Sequence, residues 1–276
     1  MGLPISTSNG RSREEGTPPS QDTTTTDLYD SPVTPAVLQL ERFERSLREP
    51  QKLALLLRLL GPLQDAACLM LDCGSPTGAL AFHLRAAGGD WTWATLSLDR
   101  TADLVELLAE PVTVVMPPLL PFPEGAFHRI AVLNPPRTLC EDAQFSQEVG
   151  RVLAPHGRLA VLSRNRDSTL LLRLLRERVV RRSGRPNSAP GWAPDEFCSV
   201  GELERFAWAA GLFPDTRGAC SRFFSECVEE FRLTKRSETV GSVGRLLAAL
   251  DYLIPSERGD TVAVAARKPE TGSKPS

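Results

Sequence analysis

Two hydrophobic periods alternate along the chain. Between Thr34 and Leu60 apolar residues recur at three- and four-residue intervals, the spacing of one helix face. Thr34-Pro35 offers a capping hydroxyl followed by a proline at the first helical position, so a helix is predicted to run through Arg48. Pro50 is expected to interrupt it, and a second helix over 51–60 to stop at Gly61-Pro62. Short apolar runs then predict strands at 69–72, 92–98, 112–116, 129–133 and 158–163, with amphipathic helices at 77–87, 101–109 and 141–153. Alternating strands and helices argue for an α/β fold whose mostly parallel sheet carries helices on both faces. Right-handed crossovers then gather ligands at the carboxyl ends of the strands, where strand order reverses. Farther on, the pattern predicts a helix over 168–182, a loop over 186–194, and a helix over 199–211 capped by Ser199. A stretch over 222–232, a helix over 241–253 and a last strand over 261–266 complete it.

The ends of the chain read differently. Residues 1–32 are rich in Ser, Thr, Gly and Pro and have few large apolar side chains to bury, which predicts a disordered tail, as do residues 269–276. Within the domain expected over 33–268, residues 33–62 form cap helices, 66–165 a ligand-binding core and 166–268 a substrate-side part. At 276 residues and 41% hydrophobic content the chain suffices for one such domain. Its 32 basic and 34 acidic residues nearly cancel, so no global field draws it to nucleic acid. Six cysteines without a CxxC pair read as reduced thiols, and no metal site is expected. No apolar run reaches the roughly 20 residues that span a bilayer, and no signal peptide is evident, so a cytoplasmic protein is expected.

The densest local signal is Leu69-Met70-Leu71-Asp72-Cys73-Gly74-Ser75-Pro76-Thr77-Gly78, an apolar strand turning through a glycine loop into a helix. Glycines there let backbone amides approach a ligand closely. The next apolar run, 91–98, ends in Asp99, where an acid can accept from ribose hydroxyls. Leu120-Pro121-Phe122-Pro123-Glu124-Gly125-Ala126-Phe127 and Gly150-Arg151-Val152-Leu153-Ala154-Pro155-His156-Gly157 follow in order. Together these segments resemble the class I S-adenosylmethionine-dependent methyltransferases over about residues 66–165. The resemblance implies a Rossmann-like seven-stranded sheet whose last strand is an antiparallel edge strand. It further implies S-adenosyl-L-methionine as cofactor, held by Asp72, Gly74, Ser75, Gly78, Asp99, Met116 and Asn134, and a small-molecule or lipid-like acceptor. Four positions depart from the family pattern: Pro76 replaces a glycine, Met116 an acid that would meet the adenine amino group, His128 an aspartate and His156 a glycine. Those departures keep open a second reading, a catalytically inactive binding or scaffold protein with this fold.

Catalytic candidates are sparse because a sulfonium donor arrives already activated and the enzyme's main task is positioning. Asn134-Pro135-Pro136-Arg137 resembles the Asn-Pro-Pro-aromatic motif of amino-group methyltransferases, with Arg137 in place of the stacking ring. That leaves nucleic-acid or protein amine methylation as a further alternative, while Arg137 suits an anionic acceptor. His83 and His128 are candidate bases for a hydroxyl acceptor. Residues 158–185 contain nine arginines against two acids, and over 168–182 the leucines share one helical face. Such a basic amphipathic helix either packs its leucines on the sheet or rests on a membrane surface.

Overall fold

The computed structural model describes residues 35–74, 78–168, 197–220 and 259–269. The basic helix predicted at 168–182 falls, past Ser168, outside the described residues, as do 222–232, 241–253, Ser75 and most of both chain ends.

Helix α1 (Pro35–Arg45) and helix α2 (Arg48–Leu60) open the domain. Pro50 does not interrupt α2 but sits in its first turn, where an N–H has no helical partner to lose. Ser46 Oγ accepts from the amides of Arg48 (3.1 Å) and Glu49 (3.4 Å), satisfying two of the orphan donors there. Leu56, Leu59 and Leu60 on α2 have no exposed surface. Each such side chain contributes about 1.5–3 kcal/mol by leaving water.

The βα alternation follows: β1 (Ala67–Asp72), α3 (Gly78–Ala86), β2 (Asp90–Thr95), α4 (Leu98–Leu108), β3 (Val112–Val114) and β4 (Phe127–Leu133). Then come α5 (Arg137–Cys140), α6 (Ala143–Val152), β5 (Leu153–Arg164), α7 (Val200–Ala209), β6 (Phe213–Cys220) and β7 (Thr261–Arg267). The helix expected over 141–153 is α6, and the short α5 before it was not announced by the pattern; Asp142 separates the two by capping α6, accepting from the amides of Gln144 and Phe145.

The seven strands run in the order β3-β2-β1-β4-β5-β7-β6. β1 to β5 pair in parallel, and β7 runs antiparallel between β5 and β6. β7 is therefore not the expected edge strand; that place belongs to β6, whose sequence FPDTRGAC has too few apolar residues to announce a strand. Side chains alternate between faces along each strand. Cys68 and Met70 pack with α1 to α4, whereas Leu69 and Leu71 pack with α5 to α7. Both faces being covered explains the uninterrupted apolar strands. Chain order reverses at the β1–β4 pair, and in an open sheet of this kind the crevice outside the carboxyl ends of two such strands is where ligands bind. No helix among the described residues is long and apolar enough to cross a membrane.

One helix end is strained. Ala109 closes α4 in the left-handed conformation (φ 52, ψ 31), its amide bonded to the Val105 carbonyl. Glycine takes that conformation without a Cβ clash, so Ala109→Gly is expected to stabilise the domain by about 0.5–1 kcal/mol, read as a higher urea midpoint.

Candidate functional site

At the carboxyl end of β1 the backbone is bonded to both neighbouring strands. The Cys73 amide donates to the Leu133 carbonyl of β4 (2.9 Å), and the Leu96 amide donates to the Asp72 carbonyl (3.1 Å). Asp72 is buried, and its Oδ1 accepts from the Gly74 amide at 3.3 Å. A Cβ on Gly74 would lie 2.6 Å from the Asn134 carbonyl oxygen, so only glycine lets the loop pass this close to β4. Asn134 itself bends the chain at φ 50, with its amide on the Leu162 carbonyl (2.7 Å). Asp72, Gly74 and Asn134 are therefore brought together at the switch point.

Gly78 has a different reason to be glycine. A Cβ there would meet Leu107 Cδ1 at 2.5 Å and Gln39 Oε1 at 2.8 Å, so the residue lets α3 pack against α4 and α1.

Asp99 does not stand where the hydrophobic pattern put it. β2 stops at Thr95, in register with Asp72, and Asp99 is an exposed residue in the first turn of α4. Leu96 and Leu98 continued the apolar alternation past the last paired residue, but Leu98 is 75% exposed. The strand end carries a buried hydroxyl instead: Thr95 Oγ1 accepts from the Ser97 amide at 3.2 Å. The side chain that reaches the glycine loop from α4 is Arg100. Its Nη2 donates to the Gly74 carbonyl at 2.8 Å, and its Nη1 lies 3.7 Å from Asp72 Oδ2. Nothing in the local pattern marks Arg100, since the contact joins residues 26 apart.

Met116 follows β3 and is 83% exposed, beside buried Val115, whose amide donates to the Thr95 carbonyl. Leu98 and Leu119 are also largely exposed. The segments leaving β2 and β3 thus present apolar side chains to solvent at the carboxyl end of the sheet.

Across the switch point, Arg137 and Arg166 converge on one carboxylate. Glu202 Oε1 lies 2.7 Å from Arg166 Nη1 and 3.1 Å from Arg137 Nε, and Arg137 Nε also donates to Glu141 at 2.8 Å. Glu202 is 3% exposed, and Ser199 holds it in a capping box: the Ser199 amide donates to Oε2 (2.7 Å), and the Glu202 amide donates to Ser199 Oγ. Burial alone would raise the Glu202 carboxyl. The Ser199 amide and hydroxyl, with the Arg166 and Arg137 guanidiniums, outweigh it and hold the group below the ordinary 4.5. Cys140 and Cys198 sit beneath this cluster with Sγ atoms 3.2 Å apart, and their shared hydrogen bond, with burial, pushes the Cys140 thiol up.

Glu148 is held low in the same sense, by the hydrogen bond from Arg151. For a carboxylate with depressed folded pKa, the stabilisation is complete above the unfolded value and lost as pH falls through the folded one. Urea midpoints are therefore expected to stay level from neutrality down to about pH 5 and to drop below pH 4.5, with Glu202→Gln flattening that drop.

His128 is removed from the site by its position. It lies at the amino end of β4, exposed, with Nδ1 accepting from the Ala67 amide. Five residues of strand, about 17 Å, separate it from Leu133 at the crevice. His83 stacks on Phe43 with ring centroids 4.2 Å apart, which ties α3 to α1.

No family model matches the chain, and no curated protein matches it. Solved structures do. The [4+2]-cyclase SpnF superposes with a TM-score of 0.52 at 20% identity, over 80% of this chain and 81% of its own. A putative methyltransferase from Bacillus halodurans gives 0.50 at 15% identity, over 79% and 99%. Geranyl diphosphate methyltransferase in complex with S-adenosylmethionine gives 0.50 at 17% identity, over 84% and 88%. The chain has the class I S-adenosylmethionine-dependent methyltransferase fold. Its mostly parallel sheet with one inserted antiparallel strand is the part of the chain that shows this fold.

Proposed function

We propose that the chain is an S-adenosylmethionine-dependent methyltransferase with a small-molecule acceptor. The observation that carries this reading is the meeting of Asp72, Gly74 and Asn134 at the switch point of a methyltransferase fold. The residues present suit the cofactor: a buried carboxylate and a loop carbonyl offer acceptors to a cationic ligand, and exposed Met116 and Leu98 offer apolar faces to a purine.

When bound, the cofactor supplies an electrophilic methyl group on a sulfonium. The chain's own residues bind, orient and shield. Asp72 sets the turn through the Gly74 amide, and the Gly74–Asn134 contact fixes the wall between donor and acceptor sides. Positioning of this kind supplies much of the rate in a bimolecular transfer. Asn134 and Arg137, on the acceptor side, are the groups we assign to orienting the substrate, with Arg137 held in place by Glu202 and Glu141.

Two observations favour a second reading, a binding protein or an enzyme of another reaction on the same fold. Thr95 stands at the end of β2 without a carboxylate, and the structurally similar SpnF is a cyclase. Calorimetric titration with S-adenosylhomocysteine separates the readings: micromolar affinity supports the methyltransferase, and no binding at millimolar ligand overturns it. Because Asp99 is exposed in α4, Asp99→Ala is expected to change that affinity by less than about threefold, under 0.7 kcal/mol.

A further inference from the structure

Arg100 joins the two acceptors at the end of β1. Its guanidinium lies 3.7 Å from the Asp72 carboxylate and donates to the Gly74 carbonyl at 2.8 Å, so one cation spans a buried negative charge and a loop oxygen. An amino-acid ammonium asks for the same environment, several oxygen acceptors of which one is charged. We propose that Arg100 occupies the ammonium subsite and thereby sets the ligand preference of the crevice. The inference rests on the cofactor reading above.

Physical bookkeeping makes the exchange feasible. Asp72 is 1% exposed and loses stability if its charge is left unmatched. Replacing the guanidinium by a ligand ammonium keeps one positive charge beside it. Arg100, with 32% of its side chain exposed at the start of α4, has water to swing into and keeps its hydration there. An adenosine ligand without an amino-acid tail leaves the guanidinium in place. A nucleotide that carries the tail must displace it and loses part of its binding free energy in doing so.

The test titrates the full-length protein with S-adenosylhomocysteine and with 5′-methylthioadenosine, which shares the thioether nucleoside but lacks the aminocarboxypropyl chain. Arg100→Met is expected to tighten S-adenosylhomocysteine by about tenfold and to leave methylthioadenosine within about twofold. Arg100→Gln, which keeps a donor for the Gly74 carbonyl but no charge, is expected to fall between and serves if the Met variant unfolds. Unchanged or weakened S-adenosylhomocysteine binding in both variants overturns the assignment, as does equal tightening of both ligands. If wild type binds S-adenosylhomocysteine and the variants gain nothing, only the Arg100 assignment fails. If no form binds it at millimolar concentration, the cofactor reading fails and takes this inference with it.

Discussion

Replacing Gly74 with alanine is expected to weaken S-adenosylhomocysteine binding by at least about thirtyfold, near 2 kcal/mol, and to lower stability by about 1–3 kcal/mol. The added Cβ would sit 2.6 Å from the Asn134 carbonyl oxygen, which is backbone and has no rotamer to retreat into. Either the loop lifts off β4, breaking the hydrogen bond that the Gly74 amide donates to the Asp72 carboxylate, or Asn134 leaves its bend at φ 50. Both routes move the groups that define the crevice. Gly78→Ala is the matched control: its Cβ meets the ends of the Leu107 and Gln39 side chains, which can rotate away. Its effect on binding is expected to stay within about threefold. Calorimetry for affinity and urea unfolding for stability check both variants. Equal losses for the two glycines would show that general disruption, not the Gly74–Asn134 contact, explains the result.

Glu202→Ala is expected to destabilise the domain by about 2–4 kcal/mol, measured as a shift in urea midpoint at pH 7. The substitution removes the partner of the Ser199 amide and empties a buried site. It also releases Arg166 and Arg137 from their shared oxygen. These guanidiniums are 34% and 39% exposed, so water recovers part of their loss, which places the effect below that of stripping a fully buried pair. Glu202→Gln keeps the shape and one acceptor and is expected to lose about half as much. An alanine variant as stable as wild type would show that the cluster is ornamental to folding.

These cases mark how far the linear chain carries the argument. The glycine turn was legible because Leu69 to Asp72 is an unbroken apolar run followed at once by residues that favour tight turns. The Ser199 cap was legible because its partner Glu202 lies three residues away, within one helical turn. Asp99 misled because Leu96 and Leu98 extend the alternation beyond Thr95, and only pairing with β1 decides where a strand stops. Gly78 was read as a ligand contact, while its crowding by Leu107 and Gln39 points to helix packing. His128 looked chemical until its position at the amino end of β4 separated it from the crevice.

By itself the sequence determined the alternation of strands and main helices from β1 to β5, the class of fold and the place of the glycine loop. Those properties arise from periodicity and from hydrogen bonds among near neighbours. Only the tertiary structure decided that β7 lies inside the sheet and that Arg100 reaches back to Asp72 and Gly74. It alone set two arginines, one from α5 and one from just past β5, on Glu202 of α7. Each of those outcomes joins residues about 25 or more positions apart. Their geometry follows from how sheet and helices bury one another, which no local pattern encodes.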